Sequence, residues 1–359
     1  RTHMDYWIRS LCSLAACSAA LSAQTLGATL VAGADTTLYE NSTGSVANGG
    51  GQGIFVGRTG GSNNSRRRAL IQFDIASTVP AGSIVIGAQL ELFVAQSSAS
   101  QPINVDAHRV QQSWSEGSVV APGGGGSGGA AAAGESTWIH RDYPNVFWNT
   151  PGGDFAATPN FSFDMPTSGV VLCDSLAGLV SDVQDMVDNP STNFGWLLKT
   201  DEAQSSTARR LSSREALGSG VVPRLNIFYL PPGGTGQWGT GSTTPLGAAT
   251  LSVGGPATGG TTLPIVGSNL PTSSLGATFF TLALDPIGTS LGPNATTYLP
   301  LASTIIPGDL LQTTSGGGAA SSLNLPAGFP GFLIVTQAAV IDASPLGFVL
   351  TNAGVMHTQ

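Results

Sequence analysis

The sequence predicts an all-β protein: a jelly-roll-like β-sandwich with one short helix, followed by a second, smaller β-sandwich. Only 9% of its 359 residues are charged, and 49 glycines and 22 prolines interrupt the chain. The apolar residues nevertheless make up 41% of the chain and fall in short runs between these turn residues. A disordered chain has too few apolar residues to form a core, so this pattern favours packed strands.

Strand candidates recur through the first part of the chain as alternating or continuously apolar runs. They are 53–58, 67–75, 83–96, 103–110, 193–200 and 224–230. One segment instead places its apolar residues every three or four positions, which predicts a helix over about 175–188. Asp174 or Ser175 is expected to cap its start, and Asn189 followed by Pro190 ends it.

The distribution of charge and of turn residues predicts two domains. Residues 24–230 contain every Lys and Arg that follows the first 23 residues, whereas residues 242–359 contain none. Between them, residues 231–241 read PPGGTGQWGTG, which is typical of a linker. Residues 121–134 are a Gly/Ala-rich insertion, expected to form a flexible loop with too few side chains to hold a ligand.

The first 23 residues have the pattern of an export signal, with Arg9 before a short stretch of apolar and small residues. This predicts a secreted, extracellular or cell-surface protein. The segment LAAC, which ends at Cys17, offers a second interpretation as a bacterial lipoprotein signal. No later stretch has about 20 uninterrupted apolar residues, so no membrane span is expected.

Composition and motifs argue against several other classes of function. The net charge of −8 disfavours nucleic-acid binding. The segment GTSLG at 288–292 matches the nucleophile elbow of serine hydrolases, with Asp309 or Asp342 and then His357 in the matching order. No helix can follow this serine, because Pro293 and its neighbouring Gly and Asn interrupt the chain. A serine hydrolase is therefore the least favoured function, and we expect no catalytic residues.

Six segments occur in an order that resembles a known family. The first two are an opening segment, ADTTLYENSTGSVANGGGQGIFVGRTG, and a core segment, RRRALIQFDIASTVPAGSIVIGAQLELFV. Two segments that contain tryptophan follow, VQQSWSEGS and STWIHRD. The last two are NPSTNFGWLLKT and ARRLSSREALGSGVVPRLNIFY. Together they resemble the DNRLRE-type domain over about residues 34–230. The resemblance implies a non-catalytic jelly-roll module, related to carbohydrate-binding modules, that in some members binds polysaccharide, including acidic polysaccharide such as alginate.

The last part of the chain carries a second resemblance. GGPATGGTTLPIVGSNLP, LDPIGTSLG and FLIVTQAAVIDASPLGFVLTN are similar to the β-rich C-terminal domain of exported proteins of planctomycete- and myxobacterium-type bacteria. This implies secretion or surface display, and no particular chemistry.

The leading functional hypothesis is a non-catalytic extracellular protein that binds or organises polysaccharide. The alternative is a structural or adhesive subunit of a filament, surface layer or extracellular matrix. Neutral surfaces of Ser, Thr and Gly and exposed strand edges favour self-association in that case.

An acidic polysaccharide requires guanidinium groups for its carboxylates and flat rings for its sugar faces. The candidate ligand-binding residues are Arg66, Arg67, Arg209 and Arg210 for charge, and Trp114, Trp138, Tyr143 and Trp148 for stacking. The competing interpretation is that the arginines pair with nearby carboxylates as structural bridges.

A calcium ion is the only metal that the turns suggest, and no other cofactor is expected. Asp35, Asn41 and Asp74 could join backbone carbonyls in a structural Ca²⁺ site at one end of the sandwich. The spacing of EF-hand and related calcium loops is absent from the sequence.

Overall fold

The computed structural model describes residues 26–61, 64–216 and 221–359. The expected export signal at 1–23, including Cys17, lies outside these residues. The described chain consists mostly of antiparallel strands with one α-helix, which confirms the predicted all-β fold class.

The helix α1 spans Ala177–Asp188, close to the predicted 175–188, but its capping differs from the expectation. Its N-cap is Leu176, and no side chain caps it. Asp174 belongs to the preceding strand, and Ser175 has a φ of 44°, so neither stands at the capping position. Asn189 ends the helix as expected.

Fifteen strands precede Pro231 in the described part of the chain. They are β1 Leu26–Val31, β2 Ala34–Tyr39, β3 Val46–Ala47, β4 Gly53–Arg58, β5 Arg66–Gln72, β6 Ile84–Ser97, β7 Ile103–Arg109, β8 Gly129–Ala130, β9 His140–Asp142, β10 Val146–Phe147, β11 Phe161–Met165, β12 Gly169–Asp174, β13 Trp196–Lys199, β14 Arg209–Ser212 and β15 Arg224–Leu230.

Thirteen strands follow in the second part of the described chain. They are β16 Thr235–Trp238, β17 Thr243–Thr244, β18 Gly247–Ala248, β19 Thr250–Val253, β20 Thr262–Ser268, β21 Leu275–Thr281, β22 Thr289–Gly292, β23 Ala295–Thr297, β24 Ile306–Gln312, β25 Ala319–Asn324, β26 Leu333–Ile341, β27 Phe348–Leu350 and β28 Ala353–His357.

The first part forms a sandwich from one folded sheet in the order β1-β15-β6-β14-β4-β5-β13-β7-β11, with β12 beside β6 and β2 beside β5. The two faces join at β4, which pairs with β14 through 53–56 and with β5 through 57–58. Gly57 lies at this transition with a φ of 107°, and a Cβ there would come 2.8 Å from the Thr207 carbonyl oxygen. Glycine is therefore required where the sheet folds.

The main core lies between the two faces. Leu90 and Leu225 come from one face and Ile71 and Trp196 from the other, and one side of α1 closes the space with Leu179, Val183, Met186 and Val187. A second cluster covers the outer face of β2, β5 and β13. Its buried members are Leu38, Leu70, Val110, Trp138, Trp148 and Leu197.

The second part packs a sheet in the order β16-β28-β26-β21-β24 against the three-stranded sheet β19-β20-β25. The segment 231–241, expected to be a linker, contains β16, which pairs with β28. A third apolar cluster joins Ile86 and Leu230 of the first part to Val335 and Val355 of the second. The two parts are therefore in direct contact around this segment.

No helix in the described ranges has the length and apolar character needed to span a membrane, since α1 has only 12 residues.

Replacing Leu92 by Ala should lower the free energy of unfolding by about 2–5 kcal/mol, because it removes buried methyl groups from the main core and leaves a cavity. Leu92 is 0% exposed. Leu172→Ala is the matched control, since Leu172 lies on β12, beside β6, but is 55% exposed. Urea unfolding measures both changes. A loss below about 1 kcal/mol for Leu92→Ala would show that its side chain does not face the core.

Candidate functional site

The side chains of three successive arginines on β5 alternate between the two faces of the sheet, with Arg66 and Arg68 on one face and Arg67 on the other. The guanidinium carbons of Arg66 and Arg68 lie 5.2 and 4.7 Å from the centre of the Trp138 ring. That of Arg67 lies 4.8 Å from the ring of Tyr39, its neighbour across the pair of strands. Because side chains alternate along a strand, Arg67 faces different surroundings from Arg66 and Arg68.

Arg68 is a buried structural arginine. It donates from Nε and Nη2 to the two carboxylate oxygens of Glu202, at 2.6 and 2.8 Å, and from Nη1 to the Gly152 carbonyl oxygen at 2.8 Å. Burial by itself raises the pKa of Glu202, but the hydrogen bonds and charge of Arg68 outweigh it and lower the pKa overall. The pair therefore has the forked geometry of a strong ion pair.

Arg66 is also ion-paired. It donates to Glu40 Oε1 from Nη2 at 2.5 Å and from Nε at 3.0 Å. For Arg66, one of the four proposed ligand-binding arginines, the structure thus fits the competing interpretation of a structural bridge.

Arg67, Arg209 and Arg210 differ because none of them is ion-paired within the described residues. Arg209 is fully buried and donates to the carbonyl oxygens of Pro166, Thr207 and Gln101. Arg67 donates to the Ser65 hydroxyl and to two carbonyl oxygens, and Arg210 to the Gln52 carbonyl oxygen. The acceptors of all three arginines are thus carbonyl and hydroxyl oxygens rather than carboxylates.

These three arginines line one groove of about 290 Å³. Its other lining residues are Phe55, Thr59, Gln96, Ser97, Ser98, Gly123, Gly124, Gly126 and Ala208. None of them is acidic. We call this the arginine groove.

Part of the wall of the arginine groove is the Gly/Ala insertion at 121–134. Its carbonyl oxygens accept hydrogen bonds from Tyr39 Oη, at Gly125, and from Arg67 Nη2, at Gly126. The short strands β3 and β8 also pair, which attaches the insertion to the sandwich. The insertion, expected from its composition to be a flexible loop, has hydrogen-bonded positions beside the groove in this structure.

The electrostatics of the arginine groove favour an anion. Burial lowers the pKa of Arg67 and of Arg209 because it disfavours their charged forms. Arginine nevertheless remains protonated in proteins. The Nε atoms of Arg67 and Arg210 are buried without a hydrogen-bond partner in the part of the chain that the structure describes. A bound anion would supply the opposite charge that the surrounding protein does not.

The structure does not bring the proposed aromatic residues to this groove. Trp138 and Trp148 are buried in the second cluster, so neither presents a ring face to solvent. Trp114 is half-buried and donates from Nε1 to the Phe194 carbonyl oxygen at 2.9 Å, and Tyr143 packs edge-on against His140. The expected stacking role does not fit the positions of Trp138 and Trp148, because both complete the apolar cover of a sheet.

Phe55 is the aromatic residue that lines the arginine groove, and sequence reasoning missed it. The available signal was alternation along β4, where Ile54 and Val56 enter the main core while Phe55 lies opposite Arg210 of β14. Alternation alone does not reveal that pairing, because the register of two distant strands is a tertiary property.

A group of carboxylates lies at another place in the sandwich. Asp35, Glu116 and Glu215 each offer an oxygen within 4.8 Å of the others. Arg214 Nε donates to Glu116 Oε1 at 2.8 Å and is ion-paired with Glu215 Oε1, 2.9 Å away. Burial raises the pKa of Asp35 well above its usual range, and the nearby Glu215 and Glu116 carboxylates add to this.

The expected calcium ligands Asp35, Asn41 and Asp74 do not form this group. Asp35 and Tyr39 are the second and last residues of β2, which separates them by about 13 Å of extended chain, and Asn41 lies beyond Tyr39. The Asn41 side chain accepts hydrogen bonds from Thr43. Asp74 is exposed, whereas Asp35 is fully buried.

The residues of the hydrolase motif contact other groups rather than one another. Ser290 lies on the β22–β23 hairpin, and its hydroxyl donates to the Gly292 carbonyl oxygen. His357 is buried in β28, with Nδ1 3.1 Å from the Leu230 carbonyl oxygen. Asp309 accepts from Ser321. No hydrogen bond joins the three in the described structure.

Comparison with known proteins supports a carbohydrate-binding-module-like domain. Residues 27–120 match the family model of carbohydrate-binding module family 96. This stretch is well under half of the chain. It contains Phe55 and Arg67 of the groove but not Arg209 and Arg210. No curated protein is significantly similar to the chain.

Two solved structures align over most of the chain. One is a β-1,2-glucanase from Parabacteroides distasonis, with 11% identity, a TM-score of 0.19 and coverage of 94% of this chain and 38% of that one. The other is a DUF4785 family protein from Legionella pneumophila, with 9% identity, a TM-score of 0.18 and coverage of 94% of this chain and 65% of that one. This chain therefore spans less than two thirds of either structure, and TM-scores at this level bear no functional argument.

Replacing Glu202 by Gln should lower the free energy of unfolding by about 3–5 kcal/mol near neutral pH, because it leaves the buried Arg68 charge without its partner. A lowered pKa means that the Glu202 carboxylate stabilises the fold above its ordinary pKa of about 4.3, and that this stability is lost as the pH falls through the lowered value. The difference between wild type and variant should therefore shrink in acid.

Urea unfolding at about pH 7 and at steps below about pH 4 measures this difference. Asp201→Asn is the control, since Asp201 is exposed and has no ion pair among the described residues. A difference that does not change with pH would contradict a stabilising charge on Glu202.

Proposed function

We propose that this chain is a non-catalytic extracellular or cell-surface protein that binds acidic polysaccharide in the arginine groove. The observation that carries the proposal is the convergence of Arg67, Arg209 and Arg210 without an ion-pair partner among the described residues. The match of residues 27–120 to a carbohydrate-binding-module family supports carbohydrate as the kind of ligand.

The charge of the groove selects for an anionic group. Guanidinium groups form forked, charge-assisted hydrogen bonds with carboxylates and with other oxyanions. Arg68 shows this geometry with Glu202 inside the protein. A uronate carboxylate or a sulfate ester on a sugar would give the arginine groove the same kind of partner.

The remaining lining suits a sugar. The hydroxyl groups of Ser97 and Ser98 and the amide of Gln96 can exchange hydrogen bonds with sugar hydroxyls, and Phe55 offers an apolar ring. A volume of about 290 Å³ lies at the lower end of small-ligand sites. The groove therefore fits one charged unit of a chain rather than a long stretch of it.

The family resemblance, the export signal and the surface display expected from the sequence all fit this function. The DNRLRE-type resemblance covers about residues 34–230 and therefore all three arginines. Export through a signal at 1–23, with either type of cleavage, would place the protein where polysaccharide is found. The second part of the chain would then display the first at a surface.

Binding to a polyuronate such as alginate should be strong at low salt and weaker near 1 M salt, where the Debye length falls to about 3 Å. Arg210→Gln should weaken binding about tenfold or more, since it removes a charge-assisted hydrogen bond. Affinity electrophoresis and isothermal titration calorimetry, with alginate and a neutral glucan, measure this.

Arg224→Gln is the matched control, because Arg224 is another half-buried strand arginine and lies outside the groove. Equal affinity of the wild type and Arg210→Gln for alginate, or equal binding of neutral and acidic polymers, would contradict the proposal.

A second candidate function, a self-associating adhesive subunit, is favoured by the surface of the second part of the chain. Leu310, Leu275 and Ile341 are 88%, 60% and 59% exposed and line an apolar cavity of about 690 Å³. Exposed apolar patches commonly mark interaction sites. The edge strand β24 contains Pro307, which has no N–H to donate, so copies would associate through side chains rather than by adding strands.

If copies associate through this surface, Leu310→Ser should shift oligomers toward monomer, because it removes the most exposed of these side chains. Sedimentation velocity at increasing concentration measures the change. Ile287→Ser is the control, since Ile287 is 67% exposed but does not line the cavity. A wild-type protein that stays monomeric at every concentration would argue against the adhesive function.

A further inference from the structure

We infer that Asp35, Glu116 and Glu215 form a binding site for a hard divalent cation of the calcium class. We call these three residues the carboxylate cluster. The inference concerns a different place from the arginine groove and does not depend on polysaccharide binding.

The carboxylate cluster brings together three segments that are distant in sequence. Asp35 lies on β2, Glu116 in the segment after β7, and Glu215 in the short 3-10 turn Arg214–Ala216 that follows β14. Each offers an oxygen within 4.8 Å of the other two. A single ion can therefore contact all three without rearrangement of the sandwich.

Two oxygens of the cluster, Asp35 Oδ1 and Glu215 Oε2, are buried and have no hydrogen-bond partner among the described residues. Asp35 is 0% exposed, and its other oxygen accepts from the Arg214 N–H at 2.7 Å. Buried polar atoms are nearly always hydrogen-bonded, so an orphaned carboxylate oxygen needs an explanation. A cation supplies one because it binds oxygens that lack a donor.

The charge of the cluster also favours a divalent cation. Glu116 Oε1 already accepts from the Asp35 N–H and from Arg214 Nε, at 2.7 and 2.8 Å. Arg214 offsets only one of the three carboxylates, which leaves two negative charges in excess when all are ionised. Burial of an uncompensated charge is costly, and a divalent ion would remove the excess.

The ligand set points to calcium rather than to a transition metal. The cluster offers only carboxylate oxygens, and neither His nor Cys belongs to it. Hard cations prefer such oxygens, and Ca²⁺ accepts irregular sets of six to eight ligands that include waters. Glu215 also lines a cavity of about 390 Å³ beside Gly50, Gly51 and Gln52, which gives space for water next to this member of the cluster.

A bound ion would brace the region that holds the groove. Glu215 follows Arg210 by five residues, and both line the cavity next to the Gly/Ala insertion. The ion would tie this segment to β2, so its first expected effect is on the stability of the first sandwich.

The test uses the full chain, freed of metal with EDTA and dialysed. Titration calorimetry with CaCl₂ should show one site with a dissociation constant of about 10⁻³ M or tighter, as in extracellular calcium modules. Saturating Ca²⁺ should raise the thermal unfolding midpoint. Glu215→Gln and Glu116→Gln should each weaken Ca²⁺ binding tenfold or more.

The matched control is Glu91→Gln, a half-buried glutamate on β6 outside the cluster, which should bind Ca²⁺ like the wild type. Circular dichroism checks that each variant is folded. The titration of the wild type does not depend on any variant, so it remains a test even if a further variant such as Asp35→Asn fails to fold. The absence of both binding heat and a shift in midpoint for the wild type would overturn the inference. Unchanged affinity in folded Glu215→Gln would overturn the location.

Discussion

The alternation of side chains along β5 is the constraint on which the rest of the first sandwich depends. Ala69 and Ile71 face the main core, whereas Leu70 belongs to the cluster that covers the opposite face. Arg68 faces the same covered side as Leu70 and must be neutralised, because a buried unpaired charge is costly. Glu202 does this with a forked ion pair. Arg67 faces the other way and has no such partner in the described chain.

This division separates arginines whose charge is paired with a carboxylate inside the fold from arginines whose hydrogen bonds go to carbonyl and hydroxyl oxygens. A carboxylate in contact with a guanidinium satisfies both groups, whereas carbonyl dipoles satisfy only the hydrogen bonds. Arg209 and Arg210 belong with Arg67 in this respect, although 142 residues separate Arg67 and Arg209 along the chain. The pairing of β4 with β14 and with β5 brings them together. A protein with a net charge of −8 thereby keeps a local positive site.

The Gly/Ala insertion shows how one buried polar side chain, that of Asn48, can hold a loop against the sandwich. The insertion has almost no functional side chains, yet Asn48 fixes it by accepting from the Ala121 N–H and donating to the Gly53 carbonyl oxygen. At Gly125 the φ is 85°, and a Cβ would come 2.7 Å from Asn48. The left-handed φ therefore favours glycine at this position, so Gly125 does more than make the insertion flexible.

The sequence by itself determined the all-β class, the helix near 175–188 and the burial of residues such as Leu90 and Leu225, because hydrophobic periodicity and turn residues act locally. It also identified arginines and Asp35 as residues of interest. Only the tertiary structure decided that Arg66 is ion-paired whereas Arg210 has no ion pair among the described residues, and that Asp35 lies with Glu116 and Glu215. These outcomes depend on strand register and on contacts between segments far apart in sequence, which composition and local spacing do not encode.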